Sequence, residues 1–425
     1  MIRYYLRLRA ESAVSVTSHH NVNGQASATM GYIAGNTLRS ALAWKVLRAR
    51  PAASQEPAFR ALFDAGGLAC GPLYPLSNRQ PTANLSLPLP LTTRTCKLKP
   101  GFITEPDPDH RGHGCVDALV AAIEETASGR VRCAGETAPA DWRGLAVCER
   151  CQADGCGKSL DRFTGYYQFG LEHRRSWHRR VVGRRKVITR TAIQETLENA
   201  RPGALFSREV LEAGQEFAGF IEIEQDWVEE FKRLWPSGSE IQVGAGRTAG
   251  LGRLLIVALQ PGQGMMSKLL GPVSNRHAAF QAQLPASLRQ RWVLAPLTLL
   301  TDAILLDPWL RYASAPEPDV LAAYAALEAN GGHALAWPVG TELFLAVANT
   351  QRIAGWKTAG EARPRSDDLA LVAGSVFVLA APPEQEQALL HAATWLETHG
   401  LGERRGEGFG QVVVAHPFHS QKEAL

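Results

Sequence analysis

The sequence predicts an α+β protein made of two βαββαβ units in tandem. Three observations carry that prediction: a glycine-rich signature that occurs twice, an apolar helical pattern ahead of each copy, and a strand pattern at the start of each half. The signature reads RxxGxG at Arg247, Gly250 and Gly252, and again at Arg405, Gly408 and Gly410. A polar residue and an apolar run follow each copy, Arg253 before Leu254, Leu255 and Ile256, and Gln411 before Val412, Val413 and Val414. Upstream, Gly214 and Phe217 open one apolar stretch as Gly374 and Phe377 open the other. The helical patterns between are Trp227, Val228, Phe231, Leu234 and Trp235 in one copy, and Leu389, Ala392, Ala393 and Leu396 in the other, with Gly400 as a stop signal.

Along the chain, Ile2, Tyr4, Leu6 and Leu8 alternate with Arg3, Tyr5, Arg7 and Arg9, the period of a half-buried strand with one basic, aromatic-bearing face. A loop with His19 and His20 follows. Tyr32-Ile33-Ala34-Gly35-Asn36 then leads into a helix with the apolar stripe Leu38, Ala41, Leu42 and Val46, for which Asn36 is the expected cap. An irregular insertion at about 70–165, rich in Pro and Cys, is too long for a simple loop. The expected domains are 1–258, carrying that insertion and a basic segment at 173–190, a connector at 259–290 with some helix, and 291–425, whose first strand runs from Trp292 through Leu300 toward Ile304. Tandem βαββαβ units explain this order with fewer assumptions than a barrel or a parallel sheet.

Length and composition bound the function. A chain of 425 residues is long enough for two or three domains with their own cores. No apolar run approaches membrane length and the start lacks the apolar core of a secretion signal, so a cytoplasmic protein with no membrane partner is expected. A net charge of +4 says little about partners, but 173–190 holds eight Lys and Arg residues and no acid, with Trp177 and two histidines interleaved. Such a block suits a polyanion. Arginine grips phosphate with a planar fork and stacks on bases, which points to single-stranded RNA.

Gly244, Gly246 and Ala249 also fit a dinucleotide fingerprint, yet there the glycine turn must open a helix. Here β-prone residues follow. Glycines that link a helix to a strand instead leave backbone N–H groups open to a phosphate-bearing chain, and the flanking arginines favour one. Seven cysteines, an odd number, argue against a disulfide framework. The CxxC at Cys148 and Cys151, with Cys156 in a glycine-bearing turn, has the spacing of a structural zinc knuckle. Cys96 is the first choice for the fourth ligand, and His110, His113, Cys115 and Cys133 compete with it.

With those residues in hand, the chain resembles the RAMP superfamily of CRISPR-associated proteins, through residues 32–42 after the first strand and the glycine loops at 244–252 and 404–410. Residues 189–193 and 203–209 make it most similar to the two-domain RAMP subunit of type III-D effector complexes, in the group that binds the 5′ handle of the guide RNA. The resemblance implies two tandem ferredoxin-like (RRM-like) domains. It also implies guide RNA (crRNA), backbone RAMP subunits and the large polymerase-like subunit as partners, target RNA being met only indirectly. The expected RNA contacts are Arg39, Arg174, Arg175, Arg179, Arg180, Arg184, Arg185, Lys186, Gly246, Arg247, Gly250, Gly252, Arg404, Arg405, Gly408 and Gly410. The expected structural zinc ligands are Cys96, Cys148, Cys151 and Cys156.

Some RAMP relatives cut guide precursors with a histidine near the first strand, without metal. His19 and His20 occupy that place, but neighbours on an extended segment face opposite ways and make a poor acid/base pair. Other relatives cut target RNA with an aspartate in an early loop. Residues 15–31 contain no Asp or Glu, and Asp107, Asp109 and Asp117 in the insertion are the substitutes on offer. The expected protein is therefore a non-catalytic RNA-binding assembly subunit in antiviral defence. A guide-processing endoribonuclease using His19 or His20 is the alternative, and a zinc-dependent hydrolase a third reading.

Overall fold

The computed structural model describes residues 1–20, 26–77, 85–128, 160–172, 175–194, 199–329, 337–357, 363–421 and 425. Contacts divide the chain into two units, Met1–Ser86 with Val181–Gln263 and Gly406–Gly408, and Leu87–Arg180 with Gly264–Arg405 and Phe409–Leu425. The units are interleaved along the chain: Leu87–Arg180, which in sequence interrupts the first half, is grouped with the second.

The first unit is built from β1 (Ile2–Ala10), α1 (Gly35–Ala49), β2 (Leu68–Cys70), β3 (Glu216–Ile223), α2 (Val228–Leu234) and β4 (Arg253–Pro261). Its main sheet has six strands, in the antiparallel order Glu240–Gln242, β4, β1, β3, β2, with Tyr74–Pro75 also pairing with β3. The alternation in β1 buries Tyr4, Leu6 and Leu8 against Leu38, Ala41, Leu42 and Val46 of α1. Replacing a fully buried leucine such as Leu42 with Ala would cost about 2–5 kcal/mol. The other face of β1 is not a bare basic surface. Arg3 donates to Glu222 at 2.9 Å and Arg7 to Glu216 at 2.8 Å, both on β3. Tyr5 is 1% exposed beside Phe220, and burial pushes its phenol up to about 12.

The expected cap at Asn36 is corrected: α1 starts at Gly35 with Ala34 in the cap position and no side-chain cap. Asn36 lies in the first turn, where its carbonyl accepts from Ser40 Oγ at 2.8 Å. Close packing fixes the helix start instead. A Cβ on Gly35 would lie 2.0 Å from the carbonyl oxygen of Cys70, so only glycine fits there. Ile33 and Leu73 exchange backbone hydrogen bonds of 3.0 and 2.8 Å just ahead of it.

The second unit repeats the plan with β5 (Val293–Leu299), α3 (Pro318–Ala329), β6 (Glu342–Val347), β7 (Val376–Ala381), α4 (Glu386–His399) and β8 (Val412–Val414), in the antiparallel order β8-β5-β7-β6. The likeness reaches single hydrogen bonds. Gly214 and Gly374 each donate at 2.7 Å to the last residue of the first strand of their unit, Ala10 and Leu299. Each unit also carries a hairpin just before its third strand, Arg185–Gln194 with Asn199–Leu211 in one and Thr350–Lys357 with Arg363–Leu371 in the other. In the first unit that hairpin joins Ala26–Thr29 and Thr17–His20 in a four-stranded sheet. Helices Met265–Leu270, Val273–Gln281 and Ala286–Arg291 lie in the connector.

The described part of the cysteine-rich insertion has more core than its composition suggested. Phe102 and Tyr167 are fully buried, clustered with Leu87, Leu89, Phe163 and Phe418. The side chain of Asp117 is only 2% exposed. Its carboxylate accepts from His419 Nδ1, and His419 Nε2 meets Thr298 Oγ1 at 2.7 Å. That partnership is what a buried carboxylate requires. No helix among the described residues is long and apolar enough to cross a membrane.

Candidate nucleic-acid interface

The first glycine loop connects Glu240–Gln242 to β4. Its two ends are tied by backbone bonds: Val243 donates to Gly252 at 2.8 Å, Gly252 to Ala13 at 2.8 Å and Ala245 to Ser15 at 2.9 Å. Gly252 has a φ of 84° and a Cβ there would lie 2.1 Å from the carbonyl oxygen of Val243, so this glycine closes the loop. Between the ties Arg247–Ala249 form a 3-10 turn. Among the described residues the amides of Gly246, Arg247 and Thr248 have no acceptor. Gly250, at φ 82°, faces open space. These are the open N–H groups that anion binding needs.

Side chains from three elements meet at this loop. The Arg247 guanidinium lies 5.0 Å from the ring centre of Trp44 on α1, and Trp44 is 46% exposed. Arg208, from the hairpin strand Asn199–Leu211, brings Nη1 to 2.6 Å from where a Cβ on Gly246 would stand. Ile188 and Val210 of the hairpin pack with Leu251 of the loop. Farther along the hairpin, Arg190 pairs with Phe206 across the strands, and Arg190, Phe206 and Lys186 are exposed. Trp44, Arg208, Arg190 and Phe206 were missed as site residues. Trp44 had a signal: it stands off the apolar stripe of α1, an aromatic on the polar face.

In the second loop, Leu401 donates to Gly410 at 2.8 Å, Gly410 to Asp302 at 2.7 Å and Glu403 to Ile304 at 2.8 Å, so the ties match the first loop. The side chains differ. Arg404 donates to Asp368 at 2.6 Å and lies over the Phe409 ring, and Arg405 donates to the carbonyl of His399 at 3.2 Å. A Cβ on Gly410 would fall 1.8 Å from the carbonyl oxygen of Leu401, and one on Gly408 2.3 Å from that of Cys70, a residue of the same unit as Gly408.

The basic block is divided between the two units, and its side chains differ in exposure. It passes from the second unit to the first between Arg180 and Val181. On the strand Arg175–Val181, Arg179 is 7% exposed and donates to Glu105 at 2.7 Å, with Trp177 and His178 buried beside it. Arg180 donates to the carbonyl of Thr164 at 2.8 Å and lies over the Phe163 ring. Arg184 and Arg185 are exposed, within 3.4 Å of Glu212 and Glu209. Arg39 donates to the carbonyls of Phe63 and Leu68 at 2.7 and 3.2 Å, bracing α1 rather than facing outward. The strand includes Arg175 in its backbone, and Arg174 lies outside the described residues.

Cys133, Cys148, Cys151 and Cys156 also lie outside the described residues. Cys96 is 2% exposed, its sulfur accepting the Lys99 amide at 3.5 Å. Cys115 sits in an apolar cluster where burial pushes its thiol up to about 12. His110 is paired with Asp107 at 3.1 Å. Among the described residues no group of three or more His, Cys, Asp or Glu is placed to hold a metal ion. His19 and His20 lie on the strand Thr17–His20 rather than in a loop, opposite Ala28 and Ser27.

Residues 142–255 match the model of the RAMP superfamily. The matched segment takes in the basic hairpin and the first glycine loop. No curated protein matches the chain. Among solved structures, a chain of the Csm3-Csm4 subcomplex of the type III-A CRISPR-Cas interference complex is similar over 89% of this chain and 92% of its own, at 10% identity and a TM-score of 0.35. A chain of type III-B Cmr-beta bound to cognate target RNA and AMPPnP is similar over 88% and 86%, at 9% identity and 0.33. Thermus thermophilus Cas6 is similar over 47% and 74%, at 13% identity and 0.27. Scores and identities this low carry no functional argument, so the reading below rests on the chain's own residues and the RAMP match.

Proposed function

We propose that the chain is an RNA-binding subunit of a type III CRISPR ribonucleoprotein, of the type III-D kind, built on two ferredoxin-like RAMP domains. It holds the 5′ handle of the guide RNA and bridges backbone subunits and the large polymerase-like subunit. The observation that carries this reading is the first glycine loop. Open amides, an open Gly250 and Arg247 lie inside the segment that matches the superfamily, and Trp44 comes to Arg247 from α1, outside that segment. Amides and arginine suit a phosphate, and Trp44 suits a base. Nothing in this arrangement requires a cleaving group, so the subunit is proposed as non-catalytic. Cys96, Cys148, Cys151 and Cys156 remain the proposed ligands of a structural zinc. The amide that donates to the Cys96 sulfur is the kind of contact a zinc-bound thiolate accepts.

The experiment is to mix the purified chain with end-labelled, repeat-containing guide precursor in EDTA and follow it on native and denaturing gels. Retained, intact RNA is expected. Cleavage at one site leaving a cyclic phosphate would replace this reading with the endoribonuclease, which has one observation in its favour: His19 and His20 share a sheet with the basic hairpin.

A further inference from the structure

The second unit holds a cavity of about 360 Å³ that the glycine loops do not touch. Two paired strands form one wall. Tyr167 and Phe169 are alternate residues of Tyr166–Glu172, and His178 lies on the neighbouring Arg175–Val181, so the pleat brings all three rings to the cavity. The rings are nearly parallel. Tyr167 and Phe169 stand 5.5 Å apart at 21°, Phe169 and His178 6.1 Å apart at 17°, and Tyr167 and His178 6.4 Å apart at 18°. Phe418 adds apolar lining, while Lys268 and Gln421 bring polar groups.

Each feature narrows the ligand. Small-molecule sites run from about 300 to 1,000 Å³, so this one has room for a single small molecule and none for a duplex. Flat parallel rings select a planar aromatic group by stacking. Lys268 is exposed and has no acidic partner among the described residues, so one cation is available to one anionic group. His178 Nδ1 is bonded to Thr104 Oγ1 at 3.0 Å, and among the described residues its Nε2 has no partner. Burial pushes this imidazole down to about 4, so it is neutral at pH 7 and reads a polar ring edge without attracting phosphate. A planar ring with polar edges and one anionic arm is a nucleotide.

We propose that this cavity binds one nucleotide, its base on the ring of Phe169 with its edge at His178 Nε2, and its phosphate at Lys268. The nucleotide is either free or an unpaired member of an RNA strand. The cavity shares no residue with the first glycine loop, so a free-nucleotide site is independent of the RNA-binding reading, while a site for a base of an RNA strand rests on it.

The test titrates the full chain with adenosine 5′-monophosphate by calorimetry and with a labelled short oligoadenylate in EDTA. The variants are Phe169→Ala, Phe169→Tyr, Lys268→Ala and Arg247→Ala. Phe169 is only half-buried and Lys268 is exposed, and thermal melts check that each variant folds. Loss of about tenfold in the monophosphate affinity with Phe169→Ala and with Lys268→Ala, and retention with Phe169→Tyr, is the result expected for a free nucleotide. The same losses seen with the oligoadenylate alone assign the cavity to a base of an RNA strand. Affinities for both ligands that do not respond to Phe169→Ala or Lys268→Ala overturn the proposal. If the oligoadenylate then still responds to Arg247→Ala, the glycine-loop reading survives without the cavity.

Discussion

The first glycine loop and the second follow one backbone course, tied at matching places, yet they present different surfaces. Where the first has Gly246 at φ 77°, the second has Arg404 at φ 56°, a left-handed position that side chains adopt at a cost. The first loop stacks Arg247 on an exposed Trp44 and leaves Gly250 open. The second folds its arginines onto Asp368, Phe409 and the carbonyl of His399. The shared glycines therefore belong to loop closure, and any difference in ligand binding belongs to the side chains around them. A signature that repeats in sequence reports a repeated fold before it reports a repeated site.

The largest effect expected of breaking this comparison is on closure itself. Gly252→Ala and Gly410→Ala each force a Cβ onto a carbonyl in a left-handed conformation, and each should destabilise by about 3 kcal/mol or more in denaturant unfolding. Gly250→Ala meets open space and should cost only about 1–2 kcal/mol. Equal losses at Gly250 and Gly252 would erase the distinction between closing and open glycines.

Acid separates the two units next. Burial lowers His178 from its ordinary 6.5 to about 4 and lowers His416 as well, both in the second unit. A histidine depressed in the folded state stabilises above its unfolded value. That stability is lost as pH falls from about 6.5 toward about 4, on the order of 3 kcal/mol for His178. The first unit has no counterpart among its described side chains. Hydrogen exchange at pH 7 and pH 4.5 should show the second unit opening first, and His178→Gln should narrow the gap.

Smaller effects concern RNA. Arg247→Ala and Trp44→Ala should each weaken oligonucleotide binding about tenfold, whereas Arg404→Ala should lower the melting temperature and leave affinity unchanged. If Arg404→Ala weakens binding as much as Arg247→Ala, the two loops are equivalent after all. Smallest is Lys186→Ala, which should reduce the slope of log affinity against log salt by about 1.

Much of the fold was legible in the sequence because local periods carry it. The alternation in β1, the stripe of α1 and the helical patterns before each glycine loop all report one buried face. Tertiary approach was not legible. The start of α1 depends on Gly35 meeting the carbonyl of Cys70, and no local rule distinguishes that from a cap at Asn36. Composition marks the basic block as a polyanion-binding segment, but adjacency in sequence hides which of its side chains turn inward. Arg179 turns inward to Glu105, a residue 74 positions away that composition does not connect with it. The repeated hairpins share no motif, and only their positions before Gly214 and Gly374 reveal them. Of the candidate site, the loop and Arg247 were readable, while Trp44 and Arg208 come to it from other elements.

The interleaving of the units also sets the order of events at the ribosome. Leu87, Phe102, Phe163 and Tyr167 emerge early, but their apolar partners Leu270, Leu300, Val413 and Phe418 come from the far end of the chain. At about 5–20 residues per second, the nascent chain carries that aromatic surface uncovered for on the order of tens of seconds. A truncation after Gln263 keeps every named element of the first unit and removes the whole main sheet of the second. The growing chain is thus most open to chaperones, and to its own aggregation, after residue 180 and before the last strand is made.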